Sequence, residues 1–382
     1  MTEHQKRIAL GQAKRIVVKV GSALLSHPKG GLATDRIHHI CQQINYLLEQ
    51  GVQIVLVSSG AVSAGMGKLG LSDRPMELHD LQATAAVGQM GLVEVYERGF
   101  SAYDRKTAMI LLTHEDLANR QRYLNARATL TRLLDMGVVP IINENDTVAT
   151  EEIRFGDNDT LASLVVNLLQ ADLMVILTDT DGLHEEDPKS NPHAPLVSMI
   201  EVSDTRLDAM VSSSSGHFGR GGMLTKLGAA RRAARSGAHT LIASGEMDNV
   251  LTKCIKGEEI GSLLVASVTP MDARKGWIAG QLKAKGDLLL DAGASRMIRE
   301  KGVSLLPVGV TGLDGKFSRG DVVRCVDPSG RVFAQGLINY DSDETRKLLG
   351  VLSEDINDLL GYAAEPELIH RDNLAVFDSL ST

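Results

Sequence analysis

Two lysines set among glycines, and a dense run of carboxylates and amides, are the residues of this chain best suited to chemistry on anions. Lys19 stands inside an apolar, β-branched run, Arg15–Val20 (RIVVKV), directly before Gly21, Ser22 and Ala23. A charge inside a buried parallel strand is costly unless it meets an opposite charge. Lys19 is therefore either a strand-end lysine reaching water along its aliphatic stem or a lysine aimed at a phosphate beside the N–H groups of a glycine turn. Lys226 closes a second run, Gly219-Arg220-Gly221-Gly222-Met223-Leu224-Thr225-Lys226, which leads into an amphipathic helical pattern. Glycines ahead of a helix let backbone donors approach an anion, and the helix N-terminus adds positive partial charge. A lysine in that first turn is disfavoured by roughly 0.3–1 kcal/mol, which a negative ligand would offset. A plain loop before an ordinary helix is the alternative.

Polar residues cluster in two further places. Ser58-Ser59-Gly60-Ala61 follows the run QIVLV; it is either a tight strand-to-helix turn or part of a site, since open α/β sheets take ligands at the carboxyl ends of their strands. Asn143-Glu144-Asn145-Asp146 follows VVPII, and Gly156-Asp157-Asn158-Asp159 precedes a helical pattern. Asp157 or Asp159 alone reads as an N-cap. Taken together, the carboxylates suit holding lysines or Mg²⁺ and the amides suit a polar small substrate. There is no Walker A loop, no Gly-x-Gly-x-x-Gly after the first strand and no cysteine pair at metal-ligand spacing.

These residues sit in an alternation of short Val/Ile-rich runs and longer helical patterns, the mark of a parallel sheet covered on both faces. Strands are expected at 15–20, 53–57, 107–112, 138–142, 173–178 and 239–243, with helices at 160–170 and 223–236, the latter closed by Gly237. Near residue 270 the pattern changes to short strands, expected at 304–308, 322–326 and 331–338, the last two joined by an Asp327-Pro328-Ser329-Gly330 turn. The expected division is an α/β domain over 12–268, a linker over 269–283, a small mainly-β domain over 284–363 and a tail over 364–382. The length of 382 residues fits such a division. The apolar fraction of 43% and charged fraction of 23% exclude a disordered or fibrous chain. A net charge of −8 lacks the footprint of a general nucleic-acid binder. Three scattered cysteines suit a reducing cytosol, and no apolar run approaches membrane-spanning length.

The motifs VVKVGSALL, VSSGAVSAG, AAVGQ, LLTHEDL, YLNARATL, VVPIINENDTVAT, GDNDTLA, LTDTDGL, DPKSNP, GGMLTK, KGVSLLPVGV, FSRGDVV and HRDNL span nearly the whole chain in order. By them the sequence resembles the glutamate 5-kinase family, a branch of the amino acid kinases that carries a C-terminal PUA domain. The resemblance implies a three-layer αβα amino acid kinase fold with a mainly parallel sheet, followed by a small mainly-β PUA-like domain. It implies ATP-dependent phosphorylation of the γ-carboxylate of L-glutamate to L-glutamyl 5-phosphate, the first step of proline biosynthesis. Mg²⁺, feedback inhibition by proline, a cytoplasmic homo-oligomer (dimer or tetramer) and a weak RNA contact through the PUA-like domain come with it. Carried over by position, glutamate would meet Ser59, Asp146 and Asn158. ATP would meet Lys19, Thr178, Asp179 and the loop of Arg220, Gly221, Gly222, Met223, Leu224, Thr225 and Lys226. Lys19 and Lys226 would be catalytic, with Asp159 positioning both. The chain departs from the family pattern at Arg220 and Leu224, where Thr and Ser are expected, and at Ser22-Ala23.

The implied reaction agrees with the residue types. A γ-carboxylate with an ordinary pKa of about 4.3 is already an ionised nucleophile at neutral pH and needs no general base. Phosphoryl transfer between anions is mainly positioning and charge neutralisation. A kinase of the same fold acting on aspartate, N-acetylglutamate, carbamate or a nucleoside monophosphate is the near rival. An RNA-binding protein is the rival of another class. With 10 Lys/Arg against 12 Asp/Glu over 284–363, the small domain offers RNA no bulk positive charge.

Overall fold

The computed structural model describes residues 2–27, 31–149, 158–188, 190–212, 222–268, 273, 284–362 and 365–377. The chain divides into two units, 1–270 and 271–382.

In the first unit eight strands form one sheet: β1 (Arg15–Val20), β2 (Gln53–Ser58), β3 (Thr107–Leu112), β4 (Val139–Glu144), β5 (Leu173–Thr178), β6 (Met199–Glu201), β7 (His239–Ser244) and β8 (Ser262–Val265). Their order is β3-β4-β2-β1-β5-β7-β8-β6, and all pairings are parallel except β7 with β8. This is the expected three-layer, mainly parallel α/β architecture. Successive side chains of a strand point to opposite faces, and β1 divides its residues between two layers accordingly. Ile16, Val18 and Val20 join Ile37, Ile40 and Ile44 of the Thr34–Glu49 helix and Leu92 and Tyr96 of the Leu78–Ser101 helix in one apolar layer. Val17 faces the other layer, with Leu161 and Val165 of the Asn158–Leu169 helix and Leu227 and Ala230 of the Met223–Ala234 helix. Lys19 shares the parity of Val17, so the strand delivers its ammonium to the side on which those two helices begin.

The helices Ala61–Leu69 and Leu78–Ser101 pack backbone to backbone. A Cβ on Gly88 would stand 1.8 Å from the Ala61 carbonyl oxygen, and one on Gly65 1.8 Å from that of Thr84, so only glycine fits at either position.

Several edges differ from expectation. β2 runs on to Ser58, β4 spans 139–144 rather than 138–142, the first site helix starts at Asn158 rather than 160, and the second ends at Ala234. Gly237 does take the left-handed conformation, at φ +81°. β6 and β8 escape the pattern because three- and four-residue strands are too short to display a period.

The second unit carries β9 (Gly286–Leu290), β10 (Val310–Gly315), β11 (Val322–Val326), β12 (Val332–Leu337) and β13 (Leu374–Val376) in the order β10-β9-β11-β12-β13. The expected hairpin closes through Asp327 N–H to Arg331 O at 3.0 Å and Gly330 N–H to Asp327 O at 2.9 Å. Two expectations fail. Residues 304–308 are not a strand: Leu305 makes an isolated bridge to Ile369, and Pro307, which has no N–H for a ladder, opens a 3₁₀ turn. Residues beyond 363 are not merely a tail, because β13 pairs with β12 while Leu368 and Ile369 are fully buried. These short apolar groups supply part of the small unit's core, which its own strands do not complete.

Candidate active site

Three buried charges meet at the carboxyl end of β1. Asp159, 1% exposed at the start of its helix, lies with Oδ1 2.6 Å from Lys19 Nζ and Oδ2 3.7 Å from Lys226 Nζ. Lys19 and Lys226 are 4% and 5% exposed. Thr225 Oγ1 donates to Asp159 Oδ2 at 2.8 Å and so ties the second helix to the same carboxylate. Burial by itself would raise the Asp159 pKa, but the Lys19 and then the Lys226 ammonium hold it below the usual carboxylate range. Lys226 is shifted down, first by burial, with Asp159 opposing and Lys19 adding to the shift. Two buried ammonium groups this close to each other, with Asp159 between them and the exposed Asp179 beyond, form a setting in which an anion is favoured. Around it, the Met223–Ala234 helix starts at Gly222 without a side-chain cap, so its first N–H groups are not taken up by a capping side chain. Thr178, at the carboxyl end of β5, is buried, and its Oγ1 donates to Asp179 Oδ1 at 3.0 Å. The charge of Asp179 reaches Lys226.

Beside the charges lies an amide network. Asn158 Nδ2 contacts the Ser58 carbonyl at 3.1 Å, Ser59 Oγ at 2.9 Å and Asn143 Oδ1 at 3.0 Å. Gly60, at φ +108°, lets the chain turn from β2 into the Ala61–Leu69 helix so that Ser59 faces this network. Asp146 stands on the turn after β4; burial pushes its carboxyl up to about 6, with the Arg74 charge opposing.

The structure thus gathers Lys19, Asp159, Lys226 and Thr225 in one cluster and Ser59 with Asn158 in the adjoining one. Among the described residues no hydrogen bond joins Asp146 to either cluster, and its charged neighbour is Arg74. Met223 is half-buried, Leu224 is 69% exposed, and Gly222 serves as the cap residue. Arg220, Gly221 and Asp157 lie outside the described residues. Gln89, Tyr96 and Arg74 were not expected in the site. Gln89 closes the AAVGQ motif, which carried no assigned role, whereas no motif marks Tyr96 or Arg74; each reaches the site loops from a distant segment. Among the described residues no three His, Cys, Asp or Glu side chains gather as a metal cage.

The amino acid kinase family profile matches residues 14–244, and the PUA domain profile matches 286–360. The chain is 56% identical to the glutamate 5-kinase of Thioalkalivibrio sulfidiphilus over 97% of its own length and 99% of that protein's. It is 54% identical to the glutamate 5-kinase of Hahella chejuensis, over 98% and 97%. Among solved structures, a UMP kinase of Bacillus anthracis aligns with TM-score 0.47 and 14% identity over 67% of this chain and 97% of that one. With both domain profiles in sequence order and this identity sustained along nearly the full chain, the protein belongs to the glutamate 5-kinase family of phosphotransferases, amino acid kinases with a C-terminal PUA domain.

Proposed function

We propose that the protein transfers the γ-phosphoryl group of ATP to the γ-carboxylate of L-glutamate, giving L-glutamyl 5-phosphate at the entry to proline biosynthesis. The observation that carries this reading is the buried Lys19–Asp159–Lys226 cluster with the amide network beside it. Asp159 aims the two ammonium groups. Lys19 and Lys226 neutralise the transferring phosphoryl group and its leaving oxygen, and they act more strongly for being shielded from water. The uncapped N–H groups after Gly222 take remaining phosphate charge, and Thr178 and Asp179 flank the nucleotide. Ser59 and Asn158 hold the amino-acid substrate, and Asp146 pairs with its ammonium. No side chain has to remove a proton, because the attacking carboxylate is already ionised. Mg²⁺, if it accompanies ATP, would supply further charge neutralisation at the phosphates.

Likeness to the family extends the reading to inhibition by proline, a homo-oligomer and a cytoplasmic location. Among the described residues no helix is long and apolar enough to cross a membrane.

The test is ATP consumption with Mg²⁺ and hydroxylamine, comparing glutamate, aspartate, N-acetylglutamate and UMP. The expected result is turnover and hydroxamate with glutamate, reduced by added proline. Turnover confined to another acceptor would discard the substrate assignment and leave the lysine roles standing.

A further inference from the structure

The Leu78–Ser101 helix touches the acceptor loops at two residues spaced two turns apart. The hydroxyl of fully buried Tyr96 lies 2.9 Å from Ser58 Oγ. Gln89 Oε1 accepts from Asn143 Nδ2 at 3.0 Å, and Asn143 Oδ1 accepts from Asn158 Nδ2 at 3.0 Å. Gln89 adjoins Gly88, whose missing side chain lets this helix pack backbone to backbone against the start of the Ala61–Leu69 helix.

A side-chain amide can sit either way round, and only its partners decide which end is the donor. Here one partner is fixed. The Ser58 main-chain carbonyl accepts and cannot donate, so the Asn158 atom 3.1 Å from it must be Nδ2. Asn143 must then present Oδ1 to Asn158 and Nδ2 to Gln89, and Gln89 must answer with Oε1. The polarity of the whole relay is set by one backbone oxygen. It leaves two buried polar atoms without a hydrogen-bond partner among the described residues, Asn158 Oδ1 and Gln89 Nε2. Buried polar groups are nearly always paired, so an oriented acceptor at Asn158 beside Ser59 points to a donor that arrives with the substrate. An amino acid offers one strong donor, its ammonium group.

We propose that Gln89 is a positioning residue for the acceptor substrate: acting through Asn143, it braces Asn158 in the place where the Ser58 carbonyl turns Nδ2 into the protein and leaves Oδ1 for the substrate ammonium. This rests on the proposed function, in which the phosphoryl acceptor is an amino acid. Without the Gln89 oxygen, Asn143 Nδ2 loses its acceptor, Asn143 is no longer held from behind, and Asn158 keeps its direction from the Ser58 carbonyl but loses the firm brace on its other side.

Gln89→Leu removes the acceptor, whereas Gln89→Glu keeps an oxygen for Asn143 Nδ2. In Gln89→Leu the KM for glutamate should rise roughly tenfold or more, the scale of a lost buried hydrogen bond, while the KM for ATP stays within about twofold. The preference for glutamate over glutarate, which lacks the ammonium, should shrink by a similar factor. Gln89→Glu should recover most of both. A glutamate KM within about twofold of the parent in Gln89→Leu overturns the proposal, as does an equal loss in both substrates' KM values, or a Gln89→Glu variant as impaired as Gln89→Leu. The unsubstituted chain assayed alongside separates the two readings: if it fails to use glutamate, the proposed function falls and this inference with it.

Discussion

Replacing Asp159 by Asn keeps the shape of the side chain and removes the carboxylate that bridges two ammonium groups that are 4% and 5% exposed. Breaking a buried ion pair from one side costs about 3–5 kcal/mol, because the remaining charge stays buried without compensation. For a domain of 150–250 residues each kcal/mol moves Tm by roughly 2–4 °C, so the variant should melt about 6–20 °C below the parent at pH 7. Scanning calorimetry with and without Mg-ATP makes the test specific. The triphosphate restores negative charge to the site, so it should raise the Tm of the variant more than that of the parent. The pH dependence has a definite sign. The Asp159 pKa is held below its ordinary value by Lys19 and Lys226 against burial, so its contribution is fully present above the unfolded carboxylate value of about 3.9 and is lost as pH falls through the lower folded value. The two melting curves should be far apart between pH 5 and 8 and converge in acid. Turnover should fall by roughly 100-fold or more, since both lysines lose their aim. An Asp159→Asn protein with the parent's Tm at pH 7, or with the parent's kcat, refutes the account of the cluster.

Lys19→Ala or Lys226→Ala should lower kcat by roughly 100-fold with the KM for glutamate changed far less, because these groups act on charge that develops in the transition state; steady-state kinetics in both substrates checks it. In the proposed function the Asp146 carboxyl, pushed up to about 6 by burial, has to ionise before it can pair with the substrate ammonium, so the KM for glutamate should fall as pH rises through that value, and Asp146→Asn should flatten the profile. Gly88→Ala places a methyl where only 1.8 Å separates it from the Ala61 carbonyl oxygen, and should cost roughly 1–3 kcal/mol by urea denaturation. Ending the chain at residue 363 removes β13 and buried Leu368 and Ile369; the truncated protein should show earlier proteolysis of the second unit while the kinase unit keeps its melting transition.

The sequence displayed the central strands almost to the residue, because a parallel strand buried on both faces is an unbroken apolar run and Lys19 interrupts one. It also displayed Asp159 and Lys226, which open helices of clear period. What it hid depends on contacts between distant segments. Gln89 and Asn143 are 54 residues apart, and a polar residue in a long helix carries no sign of which loop it will meet. β13 and the Leu305–Ile369 bridge were hidden for a different reason, since three apolar residues near a terminus look alike whether they pair or hang free. Asp146 was legible as a carboxylate in a polar loop, but not as one that feels the charge of Arg74, because no periodicity links the two segments.

The members of the charged cluster come from residues 19, 159 and 226, and this spacing bears on how the chain acquires its shape during synthesis. When β1 leaves the ribosome, the carboxylate that will receive its lysine is still some 140 residues from being made. Until the Asn158–Leu169 helix emerges, sealing β1 beneath an apolar layer would strand an ammonium without a counter-charge. The first half of the nascent domain therefore has a built-in reason to keep the centre of its sheet open. Closing that centre waits on the arrival of one aspartate, so a pulse-labelled nascent chain stalled before residue 159 should leave β1 open to protease where one stalled well beyond it does not.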